Sequence, residues 1–226
     1  MFPIKKWGLD WWTKTANSIE ISQLVSNSLL IAFFVTILST IIAFCGALAF
    51  ARFSWKGKKL FQKIILMPVF FPQPVLGLAL LLWFNAIGIP LSWHTAVFAH
   101  LVWITPVVTL VIAIQVYGFD PTLEDAAKDL GATPFQIFWR VTLPLLWPGI
   151  WSGMLFAFLL SWGNFPLSLY TTGVDNTVPK WLYSKMVAGY TPMVPTLGTM
   201  STLGAAGLML LGALTVYMMH RRQGRI

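Results

Sequence analysis

The chain has 226 residues, 57% of them hydrophobic and only 10% charged, against about 25% charged in ordinary soluble domains. A soluble fold of this length has too little interior to hide so much apolar surface, so lipid is the main solvent. The net charge of +8 would suggest nucleic acid for a soluble protein, but the basic residues sit in short loops beside apolar runs and read better as orientation signals.

Residues 1–23 carry Lys5, Lys6, Lys14, Asp10 and Glu20 and lack the apolar core of a signal peptide. Five apolar runs then reach the ~20 residues needed to cross a bilayer: roughly 24–51, 61–84, 96–117, 144–169 and 197–219. The first holds Cys45, a lone cysteine that excludes an intrachain disulfide and a CxxC metal site. It is expected to be a buried structural thiol. The second run is interrupted by Pro68, Pro72 and Pro74. Non-helical backbone at membrane depth must be covered by protein or line water, so Gln73 between two prolines is expected to face a cavity.

The third run carries His100 and Gln115, whose expected role is hydrogen bonding between helices. In the fourth, Ser161-Trp162-Gly163-Asn164-Phe165-Pro166 joins polarity, a thin backbone and a helix breaker. Gln73, Trp162 and Asn164 are therefore the candidate lining of a solute path. On the last run Gly198, Thr202 and Ala206 recur at intervals of four, beside Gly204 and Gly207. This small-residue face suits close helix approach, within the chain or to another subunit. Tryptophans such as Trp7, Trp11, Trp55 and Trp93 read as interface anchors.

Between the third and fourth runs lies a charged island, 120–144, with four of the seven acidic residues: Asp120, Glu124, Asp125 and Asp129. Asp120-Pro121 is a helix start, an acidic cap before proline at the first helical position. The helix 121–130 has a short apolar face of Leu123, Ala126, Ala127 and Leu130, and Gly131 suits the left-handed position beyond its end. Thr133 and Gln136 form a second start as a reciprocal capping pair, and Phe135, Ile137, Phe138 and Val141 continue that helix to Pro144. Two capped helices too small for a core of their own read as a docking element for a partner.

Orientation follows from Lys and Arg. Arg52, Lys56, Lys58, Lys59, Lys63, Lys128, Arg140, Arg221, Arg222 and Arg225 lie on one side, ten of the fifteen. That side, with the island and the C-terminus, is expected to be cytoplasmic. Five spans then place residues 1–23 outside the cytoplasm. Either this charged segment crosses unaided, or a further helix precedes the sequence given; the second is the reading adopted.

The spaced set Asp125-Ala126-Ala127, Gly131, Val141, Leu143-Pro144 resembles the EAA loop of permease subunits in binding-protein-dependent ABC importers, with Asp125 for Glu and Val141 for Ile. Phe119-Asp120, Leu123, Ala126 to Ala132 and Leu182-Tyr183-Ser184 resemble the second permease subunit of spermidine/putrescine importers, which usually has six spans. The resemblance implies an all-α polytopic fold forming one permease domain over 1–226 in a bacterial inner membrane. It implies contact with a cytoplasmic ATPase dimer through Glu124, Asp125, Ala126, Ala127, Gly131, Leu143 and Pro144. It further implies a sister permease subunit, an extracytoplasmic solute-binding protein, no cofactor and no nucleic acid.

Two other classes have less support in the residues. A secondary transporter usually needs intramembrane carboxylates, and the five runs contain no Asp or Glu. A membrane enzyme needs a catalytic set, whereas His94, His100 and His220 are dispersed and no HExxH occurs. No GxxxxGK[ST] occurs either, so an importer of this kind takes its ATPase from a partner chain. A polyamine is the solute implied by resemblance. Relatives that move spermidine have carboxylates where this chain has Gln73 and Gly163-Asn164, and a polycation is costly to carry without counter-charge. A phosphonate or iron remains the alternative.

Overall fold

The computed structural model describes residues 8–222; Lys5, Lys6, Trp7 and Arg225 lie outside that range. Every regular element among the described residues is helical. Helix α1 (Asp10–Ala16) is short and leans on later helices, with the Lys14 ammonium 4.7 Å from the centre of the Trp11 ring. Helix α2 (Ile19–Ala51) starts at Ser18, whose hydroxyl accepts the Ile21 N–H at 3.4 Å. The first span thus begins five residues earlier than its apolar run, because the cap and not hydropathy sets its start. Its 33 residues measure about 50 Å, well beyond the ~30 Å hydrocarbon layer. Ile21, Leu24, Ser28, Ile31, Val35, Ser39, Ala43, Ala47 and Phe50 are buried at steps of three or four, while Phe33, Ile37 and Ile41 stay exposed on the lipid side. Cys45 is exposed as well. Its neighbours in sequence are apolar, but the helical period turns it off the buried stripe.

The second apolar run is not one rod. Helices α3 (Lys58–Phe70) and α4 (Gln73–Ala86) meet at 100°. Phe71 is extended (φ −79°, ψ 135°) because it precedes Pro72, and Pro74 then starts α4 in its first turn. Helix α5 (Trp93–Tyr117) opens with a capping box between Ser92 and Thr95. After α6 (Thr122–Asp129), helix α7 (Pro134–Ile137) does not stop at Pro144. It widens into a π-helical turn (Phe138–Thr142) and runs on as α8 (Leu143–Trp162), a continuous 29-residue stretch from Pro134. A proline in a helix loses one hydrogen bond and crowds the carbonyl four residues back. The wide turn before Pro144 relieves that crowding, so the helix survives.

Helix α8 ends at Trp162, short of the expected 169. The chain breaks at Gly163–Phe165 and resumes as α9 (Pro166–Thr171), followed by α10 (Val178–Ala188) and α11 (Met193–Arg222). Among the described residues four helices can cross a membrane by length and composition, five if the bent α3–α4 pair is one span.

α2, α5 and α8 form the central bundle, whose core includes Ile31, Val35, Ile104, Val108, Ile112, Leu146 and Ile150. Gly149 and Gly153 set the α5–α8 approach: a Cβ on Gly149 would fall 2.4 Å from Gln115 Cβ, and one on Gly153 2.8 Å from Ile112 Cγ1. This small-xxx-small contact was readable in the sequence and lies in the fourth span, not the last. A second cluster, Ile21, Leu24, Val178, Trp181, Val194 and Leu197, ties α2, α10 and α11 at the other end. Helix α11 is otherwise loosely held. Gly212 meets Leu155, but a Cβ on Gly198, Gly204 or Gly207 would touch nothing within 4 Å. Those three positions leave open space beside the helix.

Candidate functional site

The island folds as an elbow between α5 and α8. Asp120 Oδ1 accepts from the Thr122 N–H at 3.0 Å and the Thr122 hydroxyl at 2.8 Å, and these bonds hold its carboxyl below the ordinary value. Helix α6 ends in a reciprocal pair of bonds, Ala132 N–H to the Ala127 carbonyl (3.0 Å) and Gly131 N–H to the Lys128 carbonyl (2.8 Å), with Gly131 at φ +80°. Nothing lies within 4 Å of a Cβ built there, so backbone conformation alone requires the glycine. Thr133 N–H donates to Gln136 Oε1 at 2.9 Å, and the Gln136 N–H returns to Thr133 Oγ1 at 3.4 Å. The expected capping at 120, 131 and 133–136 is all present.

The side chains then divide into two sets. Glu124 turns inward: Oε2 pairs with Arg52 at the end of α2, and Oε1 accepts from the hydroxyl of Thr142 in the π-helical turn. These side chains are only 24% (Arg52) and 13% (Glu124) exposed, and the Arg52 guanidinium also lies 5.1 Å from the centre of the Phe119 ring. Leu143 packs on the central core, and Ala127 is half-buried. Asp125 points outward beside Ala126 and pairs with Lys128 at 2.7 Å, raising the Lys128 pKa; Pro144 is exposed. Around them the elbow leaves large apolar groups uncovered, with Leu130 90% and Phe135 73% exposed and Leu123 and Trp139 also open. A patch of this size on a capped, fixed helix pair is the kind of surface that a partner chain covers. Arg52 and Thr142, the partners of Glu124, were missed in sequence reading. The single arginine at the end of a long span was read only as an orientation charge.

The breaks in the apolar runs meet at the opposite end. Asn164 is buried; its Nδ2 donates to Gln73 Oε1 at 3.4 Å, and its Oδ1 accepts the Leu167 N–H at 3.0 Å, capping α9. The two amides predicted to share a cavity are thus neighbours, across 91 residues of sequence. Helix α4 packs on α9, so closely that a Cβ on Gly77 would lie 2.9 Å from Tyr170. Trp162 is not part of this meeting. Its indole N–H donates to Ser201 at 2.9 Å, and it lines a separate cavity of about 530 Å³ with Val25, Phe158, Leu197 and Gly204. His100 spans the α8–α9 break, one ring nitrogen 2.9 Å from Ser161 Oγ and the other 3.1 Å from Ser168 Oγ. Gln115 donates to the Leu145 carbonyl at 3.2 Å. Both serve the helix-to-helix bonding expected of them. No cluster of His, Cys, Asp or Glu among the described residues could hold a metal ion.

Residues 41–225 match the family described as binding-protein-dependent transport system inner membrane component. The chain is 31% identical to the spermidine/putrescine transport system permease protein PotC of Haemophilus influenzae, over 93% of this chain and 82% of that one. It is also 31% identical to the putrescine transport system permease protein PotI of Escherichia coli, over 96% and 79%. Among solved structures, a bacterial ABC transporter involved in import of the acidic polysaccharide alginate superposes with a TM-score of 0.75 at 16% identity, covering 96% of this chain and 85% of that one. At that identity the match speaks for the fold.

Proposed function

Since the chain belongs to the family of binding-protein-dependent transport system inner membrane components, we propose that its elbow is the surface through which a cytoplasmic ATPase drives this permease subunit of an ABC importer. The observation that carries this reading is the elbow itself: two capped helices locked about Gly131 (φ +80°), with Leu123, Leu130, Phe135 and Trp139 exposed and uncovered within the chain. Asp125, Ala126 and Pro144 face outward with them and would meet the ATPase. Ala127, Leu143 and Glu124 face inward and would hold the surface in place.

The same reading gives each helix a part. A push on α6 reaches α8 through the unbroken 134–162 helix, and reaches α2 through Glu124 and Arg52. In a bacterial inner membrane, with the elbow and C-terminus cytoplasmic, the outer end carrying Gln73 and Asn164 would receive solute from an extracytoplasmic binding protein. A sister permease subunit would close the path from the other side.

A polyamine-type solute is supported by the likeness to PotC and PotI. The Gln73–Asn164 pair itself carries no charge, so a polycation passing it would draw its counter-charge from elsewhere, and a sister subunit could supply it. Identifying the ligand that co-purifies with the cognate binding protein decides the solute.

Gly131→Val tests the coupling role. An L side chain in the left-handed region costs roughly 1–2 kcal/mol, and a branched one more, so α6 should lose its place. Reconstituted with its partners, the variant should insert normally but lose about tenfold in binding-protein-stimulated ATPase activity and in transport. Normal values of both in an inserted variant would refute this role for the elbow.

A further inference from the structure

One face of α3 has no part in the transport reading above. Lys59, Lys63, Leu66, Met67 and Phe70 fall at i, i+4, i+7, i+8 and i+11, a single stripe along the helix. With Phe50 of α2 and Gln62, whose amide donates to the Phe50 carbonyl at 3.3 Å, they line a groove of about 660 Å³. The stripe changes character along its length. It begins with two exposed ammonium groups and ends with Met67 and Phe70, which are also exposed.

The charge at its head is largely unanswered among the described residues. Arg52, Lys56, Lys58, Lys59 and Lys63 fall within twelve residues, and the sequence has no acid between Glu20 and Asp120. Of these five cations only Arg52 has a carboxylate partner among the described residues. The first turn of α3 adds the positive end of a helix dipole. Trp55 lies just before it, its N–H on the Ala49 carbonyl at 3.2 Å and its ring half-exposed, as expected at a membrane–water boundary.

Length identifies the ligand class. From Lys59 to Phe70 the stripe runs about 16 Å, close to half of a ~30 Å hydrocarbon core and so to one leaflet. A soluble phosphate or a polyanion would use the lysines and leave the apolar end idle. An amphiphile with an anionic head uses both. We propose that this groove binds an anionic phospholipid of the cytoplasmic leaflet, its phosphate between the ammonium groups of Lys59 and Lys63 and an acyl chain along Leu66, Met67 and Phe70. The assignment rests on the reading that places the lysine-rich loop in the cytoplasm.

The intact complex, with ATPase, sister subunit and binding protein, would be purified from membranes, placed in nanodiscs of phosphatidylcholine with and without phosphatidylglycerol, and its retained lipid counted by native mass spectrometry. Phosphatidylglycerol should be retained over phosphatidylcholine. Lys59→Gln/Lys63→Gln should lower its retention by about tenfold, Lys59→Arg/Lys63→Arg should restore it, and Lys56→Gln/Lys58→Gln should leave it near the parent value. Equal retention of the two lipids, unchanged retention in Lys59→Gln/Lys63→Gln, or displacement by millimolar inorganic phosphate would each overturn the assignment, as would a crosslink showing the groove filled by the sister subunit. Failure of the sidedness reading shows separately, as labelling of Lys56→Cys by an impermeant maleimide added outside intact cells.

Discussion

The elbow at 120–144 and the break at 161–171 solve the same problem, an interrupted helix, in opposite ways. At the elbow the loose backbone and polar ends are answered locally. Asp120 caps Thr122, Gly131 and Ala132 close on Lys128 and Ala127, and Thr133 and Gln136 cap each other. At the break Asn164 caps Leu167 locally, but most answers come from far along the chain. Asn164 meets Gln73, His100 reaches Ser161 and Ser168, and Thr95 donates to the Thr171 carbonyl at 2.7 Å. The elbow therefore holds its own shape and spends its apolar side chains on the outside. The break holds its shape only as part of the bundle and keeps its polar groups inside. A surface that meets a separate chain needs the first design, and a site that rearranges as helices shift suits the second.

Glu124 is the exception that joins the elbow to the bundle, and its loss should have the largest effect. Charge-assisted hydrogen bonds contribute roughly 1.5–3 kcal/mol, and this carboxylate makes two long-range contacts at once, to Arg52 and to Thr142. Glu124→Gln should lower coupled transport by at least about tenfold while ATPase and permease still assemble. Exchanging the charges, Arg52→Glu with Glu124→Arg, should recover part of it. If Glu124→Gln transports normally, α2 is not driven through this pair and the continuous α7–α8 helix suffices.

Next in size is His100. Its ring bonds both sides of the α8–α9 break and is fully buried. His100→Ala leaves two buried hydroxyls without that partner and opens a cavity, a loss of about 2–4 kcal/mol. The complex should melt several degrees lower, and Gln73–Asn164 proximity, followed by a cysteine pair at the two positions, should decline. An unchanged melting point would mean that the break is held without the imidazole.

What could be read in advance follows the same division. The caps at Asp120, Gly131 and Thr133 were legible because each bond closes within five residues, where spacing alone decides it. Gln73 and Asn164 could be picked out one at a time, as amides beside prolines. Their hydrogen bond depends on the 100° turn between α3 and α4, and prolines announce a bend without giving its angle. Trp162 was grouped with Asn164 by adjacency. Trp162 is the last residue of α8 whereas Asn164 lies beyond its end in the break, and the two side chains part there, the indole toward Ser201 and the amide toward Gln73. Glu124 and Asp125 were both expected at the ATPase contact, and the roughly 100° between successive residues of a helix separates them, one turned in and one out. The Gly149–Gly153 pair is spaced as a close-packing motif, yet its partners Gln115 and Ile112 lie on another helix, and spacing alone does not separate it from the small-residue face of α11, which is open at Gly198, Gly204 and Gly207.

Asn164→Leu should act more mildly than His100→Ala, because the core bonds to Ser161 and Ser168 remain. It removes the contact to Gln73 and the cap on Leu167 while keeping the span apolar enough to insert. Transport should slow a few-fold, with little change in the affinity of the binding protein for solute. Transport at the parent rate would move the path away from this pair.

The smallest effect belongs to Asp120, where the self-contained character of the elbow can be tested by pH. Bonds from the N–H and hydroxyl of Thr122 hold its carboxyl below the ordinary aspartate value, so folding of the cap favours the charged form. That contribution is present above the unfolded value of about 3.9 and is lost as pH falls through the lower folded value. Between pH 5 and 8 the cap should therefore be insensitive to pH. Amide protection at Thr122 and Leu123 should drop only below about pH 3.8, without a matching change at Asn164 or Leu167. Asp120→Asn keeps an acceptor oxygen and should remove the acid dependence, while Asp120→Ala should weaken protection at every pH. If protection at Asn164 and Leu167 falls together with that at Thr122, the elbow does not hold its shape independently of the bundle.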